Sequence, residues 1–141
     1  MSGSEIFAPV MAMILLTLLV WVYLFARRVP FITSLDIPAD ELTAAKLAEL
    51  SPPEVINPSD NLKNLFEIPT LFYVLCISLY LTQQVDSIYL GAAWIFVAFR
   101  YLHSLMHCTR NIVTARFVLY LLSCLALWFM FLRAGLNFIQ G

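Results

Sequence analysis

Long runs of apolar residues without a charge restrict the possible folds of this chain more than any other feature. The longest extends from Ile6 to Ala26 and ends at Arg27 and Arg28. A helix of about 20 mostly apolar residues is long enough to cross a hydrocarbon core of about 30 Å. Strands of a membrane β-barrel would alternate polar and apolar residues over about ten positions. The continuous runs therefore predict membrane-spanning helices.

Four spans are predicted, over about residues 6–26, 62–81, 88–106 and 112–132. The second and third spans, and the third and fourth, are joined by short connections, which makes these helices antiparallel neighbours. Pro69 lies inside the second span and is expected to kink it. The predicted fold class is an all-α membrane protein, with residues 1–141 forming a single domain built as a four-helix bundle.

The composition excludes several classes of protein. Hydrophobic residues make up 62% of the chain and charged residues 12%, against roughly 45–50% apolar and about 25% charged in soluble domains. A soluble enzyme, a disordered chain and a collagen-like chain are therefore excluded. The net charge of −1 gives no basic surface for nucleic acid. Three scattered cysteines are too few for a disulfide framework or a metal site.

Residues 27–58 form the longest connection, and five prolines argue against one continuous helix there. Residues 40–50 are spaced like a short surface helix. Most Lys and Arg residues lie in this loop, beside it, or between spans three and four, whereas the opposite side has only Arg133. The positive-inside rule then places the loop in the cytoplasm and both termini on the other side. A bacterial inner membrane is expected, with an endomembrane as the alternative, because the chain has short turns and no targeting signal.

Polar residues at membrane depth occur on three of the spans. The second span carries a stripe at offsets of 0, 3, 4 and 7 residues: Asp60, Lys63, Asn64 and Glu67. The third carries another at offsets of 0, 3, 7 and 10 residues: Arg100, His103, His107 and Arg110. The fourth begins with Arg116 and, one turn later, Tyr120. Charged groups are costly in a membrane and are expected to face a partner or a water-filled cavity. The surplus of basic groups predicts a pocket for an anionic ligand.

The segment Asn64-Leu-Phe-Glu67-Ile-Pro69, together with Arg100-Tyr-Leu-His103 and Arg116, resembles the MAPEG family, the membrane-associated proteins in eicosanoid and glutathione metabolism. The resemblance covers about residues 57–135. It implies a homotrimer of four-helix protomers with active sites between neighbouring subunits. It also implies glutathione as co-substrate and a hydrophobic small molecule or lipid as the second ligand.

The resemblance implies a role for each matching residue. Arg116 corresponds to the catalytic arginine that holds the glutathione sulfur as a thiolate. The implied glutathione-binding positions are Asn64, Glu67, Arg100, His103, His107 and Tyr120. No metal site is implied, since His103 and His107 have no third ligand nearby. A cation favours the ionised form of a thiol, whose ordinary pKa is about 8.5.

The predicted function is that of a glutathione-dependent transferase or peroxidase acting on lipophilic electrophiles. The alternative is a non-catalytic trimer that binds a lipid or a partner, because the family includes a non-enzymatic member. Two departures support this alternative: His107 replaces a tyrosine usual in the enzymes, and Phe117 replaces a serine of a prostaglandin-synthesising member.

Two further alternatives remain at this point. Glu67 could form a buried ion pair with Lys63 or Arg100 that only fixes helix packing. A transporter ranks last, because the chain has no inverted repeat.

Overall fold

The computed structural model describes residues 1–140, and the regular secondary structure in that range is entirely helical. Short 3-10 turns at Ser4–Ile6 and Ala39–Glu41 precede the first and second helices. The α-helices are α1 (Phe7–Ser34), α2 (Ala44–Leu50), α3 (Pro53–Leu65), α4 (Ile68–Leu81), α5 (Ser87–Cys108) and α6 (Val113–Gln140).

Within residues 1–140, four helical stretches are long and apolar enough to cross a membrane: Ser4–Ser34, Pro53–Leu81, Ser87–Cys108 and Val113–Gln140. They include the four predicted spans and extend beyond them. Helix α1 continues past Arg27 and Arg28 because arginine is a good helix former. Pro30, inside this helix, removes only one backbone donor.

The segment predicted as the 27–58 loop contains more helix than expected. The short surface helix expected over residues 40–50 is α2, whose first turn is capped by the Thr43 hydroxyl, accepting from the Lys46 N–H at 3.2 Å. Helix α3 starts inside the predicted loop, at Pro53. The first helical position needs no backbone donor, so a proline there begins a helix instead of preventing it.

The second span is interrupted where the sequence places Pro69. Helix α3 ends at Leu65 and α4 begins at Ile68, with Phe66 and Glu67 between them. Proline has no N–H to donate to the carbonyl four residues earlier, which belongs to Leu65, and the hydrogen-bond ladder stops there. Glu67 adopts φ −92° and ψ −103°, outside the helical region, so the chain changes direction after this residue.

The core lies where α5 packs against α1, α4 and α6. Phe72 of α4 and Phe96 of α5 stack with their ring centroids 4.4 Å apart, and the Tyr101 hydroxyl donates to the carbonyl of Ala12 at 2.6 Å. Cys76 and Cys124 are buried free thiols. Close van der Waals packing of this kind holds helices together in lipid, which offers no hydrophobic driving force between them.

An ion pair joins the start of α5 to the end of α6. Arg133 donates two hydrogen bonds to the carboxylate of Asp86, at 2.8 and 2.6 Å, and its guanidinium lies 4.2 Å from the ring centroid of Tyr89. Asp86 also caps α5 by accepting from the backbone N–H groups of Ile88 and Tyr89. One carboxylate thus fixes both the helix end and the contact with α6.

Acid should loosen this end of the bundle. The hydrogen bonds from Arg133 hold the pKa of Asp86 below its ordinary value of 3.8. Because the folded pKa is depressed, the contribution to stability is complete above the unfolded pKa and disappears as the pH falls through the folded value. The thermal unfolding midpoint, measured in detergent from pH 7 to pH 2, should therefore fall as this contribution is lost.

The variant Asp86→Asn keeps a helix cap but removes the charge, so it should unfold a few degrees lower at pH 7 and lose the pH-dependent step. Asp40→Asn, at an exposed acidic residue of a 3-10 turn, is the control and should keep the step. An Asp86→Asn profile identical to that of the unmodified protein would contradict the assignment.

Candidate functional site

Three asparagines of α3 form a line along its face toward α5, here called the amide stripe: Asn57, Asn61 and Asn64. The Asn64 side chain accepts a hydrogen bond from Nη2 of Arg100. The Asn61 side chain accepts from the Ser104 hydroxyl at 3.3 Å. Asn61 and Arg100 are both 0% exposed. An amide can both donate and accept, so the stripe meets the polar groups of α5 without a carboxylate.

The amide stripe continues to the turn between α5 and α6. There, Nδ2 of Asn111 donates to Oδ1 of Asn57 at 3.2 Å. The Oδ1 atom of Asn111 in turn accepts from Nη1 of Arg116 at 2.6 Å. A chain of three side chains thus connects α3, through the turn, to the first turn of α6, and it holds the guanidinium of a partly exposed arginine.

Aromatic and imidazole rings surround Arg100. Its Cζ atom lies 5.9 Å from the ring centroid of Tyr120, and the His103 ring centroid lies 6.0 Å from that of Tyr120. The two histidine rings, His103 and His107, meet edge to face at 5.7 Å. Arg100 and both histidines are buried, whereas Asn64 and Tyr120 are partly exposed. The buried residues Arg100, His103 and His107 are here called the cationic floor of the site, and the partly exposed Asn64 and Tyr120 its rim.

Several buried polar atoms of this floor have no hydrogen-bond partner within residues 1–140. On α5 they are Nε and Nη1 of Arg100, Nδ1 of His103 and Nδ1 of His107. A buried polar group without a partner costs about 1–3 kcal/mol, and more when it is charged. Arg100 and Arg116 also have no salt bridge in the described part of the chain. Such a cluster is suited to a ligand that brings acceptors and negative charge.

Most of the predicted site residues meet in this cluster, and Glu67, at the break between α3 and α4, forms no salt bridge with it. Asn64 contacts Arg100, and Arg100, His103, His107 and Tyr120 lie together, as described above. Arg116 is connected through Asn111 to Asn57 of the amide stripe. Glu67 is exposed and has no salt bridge among residues 1–140.

The predicted convergence of charges is therefore only partial. Lys63 pairs with Asp60 at 3.3 Å, and both side chains are largely exposed. The ion pairs considered from the sequence, between Glu67 and either Lys63 or Arg100, do not form. Arg110 is exposed. The cationic character of the site comes from Arg100 and Arg116 alone.

The charged stripe predicted for the second span contains only one member of the amide stripe, Asn64. Asn57 and Asn61 contact the third span and its following turn, yet neither was a candidate. Their spacing with Asn64, at offsets of 0, 4 and 7 residues, was the available signal, since those offsets share one helical face. A second missed contact joins Arg28 to Ser59, with Nη2 donating to Oγ at 2.8 Å.

Comparison with family profiles matches residues 6–136 to the MAPEG family. Comparisons with curated proteins and with solved structures gave no match. The match extends over the four long apolar stretches and includes every residue of the site described above.

Proposed function

Since the chain belongs to the MAPEG family, we propose that it is a glutathione-dependent transferase or peroxidase. This family of multi-pass membrane proteins includes glutathione transferases and peroxidases as well as non-catalytic members. The second substrate of this protein is a lipophilic electrophile that arrives through the membrane. Glutathione binds as a thiolate between the subunits of a homotrimer. Asn64, Arg100, His103, His107 and Tyr120 contribute to its binding, and Arg116 holds the sulfur.

The observation that carries this proposal is the uncompensated cationic floor. Arg100 is completely buried, and two of its three guanidinium nitrogens have no partner within residues 1–140. Glutathione carries two carboxylates and an ionisable thiol, which suit guanidinium donors. Because Asn64, Arg116 and Tyr120 are partly exposed, a ligand reaches the floor between them. Glu67, exposed at the helix break, is left to contact the ligand's amino group.

The reaction follows from the charge of Arg116. A guanidinium beside the glutathione sulfur favours loss of the thiol proton to solvent. The thiolate then forms a carbon–sulfur bond with the electrophile. With an aromatic chloride, chloride leaves with the electron pair of the carbon–chlorine bond. Arg116 neither forms a bond nor transfers a proton in this reaction, so its role is electrostatic.

The proposed membrane arrangement places both termini away from the cytoplasm and the α1–α3 connection in it. Arg27, Arg28 and Lys46 belong to that side, as do Arg110 and Arg116, whereas Arg133 is at the other. The site then opens toward the cytosol, where glutathione is abundant. A bacterial inner membrane is the proposed location.

A glutathione binding isotherm on the detergent-solubilised protein tests the proposal. Saturable binding with a dissociation constant of millimolar or below is expected, and free glutamate, which lacks the thiol and the tripeptide length, is the control ligand and should bind far more weakly. Absence of glutathione binding, together with a co-purified lipid that glutathione cannot displace, would favour the non-catalytic alternative. His107, which lacks the phenol of the enzymatic members, is the feature of the site that fits that outcome.

A further inference from the structure

The side chain of Arg116 is held by a residue that the proposed function does not use. Nη1 of Arg116 donates to Oδ1 of Asn111 at 2.6 Å. Asn111 is in turn held by Asn57, which accepts from its Nδ2 at 3.2 Å. Arg116 is only partly buried and has no salt bridge within residues 1–140. The amide of Asn111 is therefore what keeps this long side chain in one place.

The backbone explains part of the choice of residue at this turn. Asn111 has φ +47°, in the left-handed region that favours Gly, Asn and Asp. Its N–H donates to the carbonyl of Met106 at 2.7 Å, which closes the end of α5. The backbone alone would be served by any of the three residues. Only the side-chain contacts distinguish Asn from Gly and Asp at this position.

The charge of the side chain decides among the three. Glycine would leave Arg116 without an acceptor. Aspartate would bind the guanidinium more strongly, but its negative charge would offset the positive charge that must favour a thiolate. An asparagine fixes the guanidinium and leaves its charge available.

We propose that Asn111 is a positioning residue, which holds the Arg116 guanidinium by a neutral hydrogen bond so that its remaining donors and its whole charge are directed at the bound anion. This inference rests on the proposed function. Asn57 supports the arrangement from α3, so the two helices and the turn must be correctly packed for Arg116 to be in place.

Two substitutions at position 111 keep the backbone of the turn but change the contact with Arg116 in different ways. Asn111→Gly keeps the left-handed turn and removes the hydrogen bond to Arg116. Asn111→Asp keeps both the turn and the tether but adds a negative charge. The readout is the apparent pKa of the bound glutathione thiol, followed through the ultraviolet absorbance of the thiolate, together with kcat for a generic aromatic chloride.

We expect both variants to raise the thiol pKa, and Asn111→Asp to raise it by about one unit or more, which is tenfold in the ratio of thiolate to thiol. In both, kcat at pH 7 should fall several-fold and recover as the pH rises. Thr109→Ala is the control: it removes a hydroxyl contact to the Leu105 carbonyl in the same turn and should leave the thiol pKa unchanged.

The outcomes separate this inference from the proposed function. If the unmodified protein stabilises a bound thiolate and both Asn111 variants keep the same thiol pKa, Asn111 serves only the turn and the inference is overturned while the function stands. If Asn111→Asp matches the unmodified protein and Asn111→Gly alone is impaired, the requirement for a neutral tether is overturned. If the unmodified protein binds glutathione without lowering the pKa of its thiol, both proposals are overturned.

Discussion

Replacing Arg116 by alanine should lower kcat/KM for glutathione conjugation by about 100-fold, the usual effect of removing one preorganised donor from a developing or stabilised anion. Without the guanidinium, the pKa of the bound thiol returns toward about 8.5, and only a small fraction is thiolate at pH 7. The variant should fold normally, because Arg116 is partly exposed and its side chain has one hydrogen bond within residues 1–140, to the turn residue Asn111. The loss should therefore be confined to chemistry.

The pH dependence of this variant is the informative measurement. Raising the pH toward 9 should restore much of its activity, since the thiol then ionises without help. Arg110→Ala is the matched control, because it removes the same charge from an exposed arginine six residues earlier and should have little effect. Unchanged activity in Arg116→Ala at pH 7 would end the thiolate role assigned to this residue.

Replacing Arg100 by methionine should make the protein more stable and less able to bind glutathione. Arg100 is 0% exposed, and its Nε and Nη1 atoms have no partner among residues 1–140. Replacing a buried ion pair by apolar side chains of similar volume can stabilise a protein by about 1–4 kcal/mol, and a buried charge without an ion pair also loses its desolvation cost when it is replaced. Asn64, which loses its donor, is partly exposed and can be solvated instead.

The same change removes the central cation of the floor, so glutathione affinity should fall at least tenfold. Thermal unfolding without ligand and a binding isotherm, both in the same detergent, measure the two effects. Ser104→Ala, which removes a hydroxyl that is also buried on α5, is the control and should not stabilise the fold. A destabilised Arg100→Met with unchanged glutathione affinity would assign Arg100 to packing.

The spans are predicted well from the sequence because insertion of a segment into lipid depends mainly on the composition of that segment. Uncharged runs long enough to cross a membrane can be recognised without knowing their neighbours. Helix ends are harder to predict. The predicted first span ends at Arg27 and Arg28, but a charge ends the apolar run and not the hydrogen-bond ladder, so α1 continues to Ser34.

Prediction of the site from sequence was less complete, for two physical reasons. A face drawn by helical periodicity assumes an unbroken helix, whereas the second span is interrupted at Phe66 and Glu67. A neutral amide also gives no signal of its own, because asparagine is common in turns and on surfaces. Asn61 pairs with Ser104, which is 43 positions away, and Asn111 pairs with Asn57, which is 54 positions away. Such pairings become visible only in three dimensions.

The amide stripe has a consequence for how the chain is made. Its hydrogen bonds join residues separated by 36, 43 and 54 positions, so α3 is synthesised before any of its polar partners exist. At a translation rate of about 5–20 residues per second, Asn57 waits about 3–10 s for Asn111. During that interval the amides of the new helix lack their protein partners, and any that enter the bilayer cannot be solvated by lipid. Helix α3 should therefore remain at the insertion machinery until α5 follows, and the two should enter the bilayer as a pair.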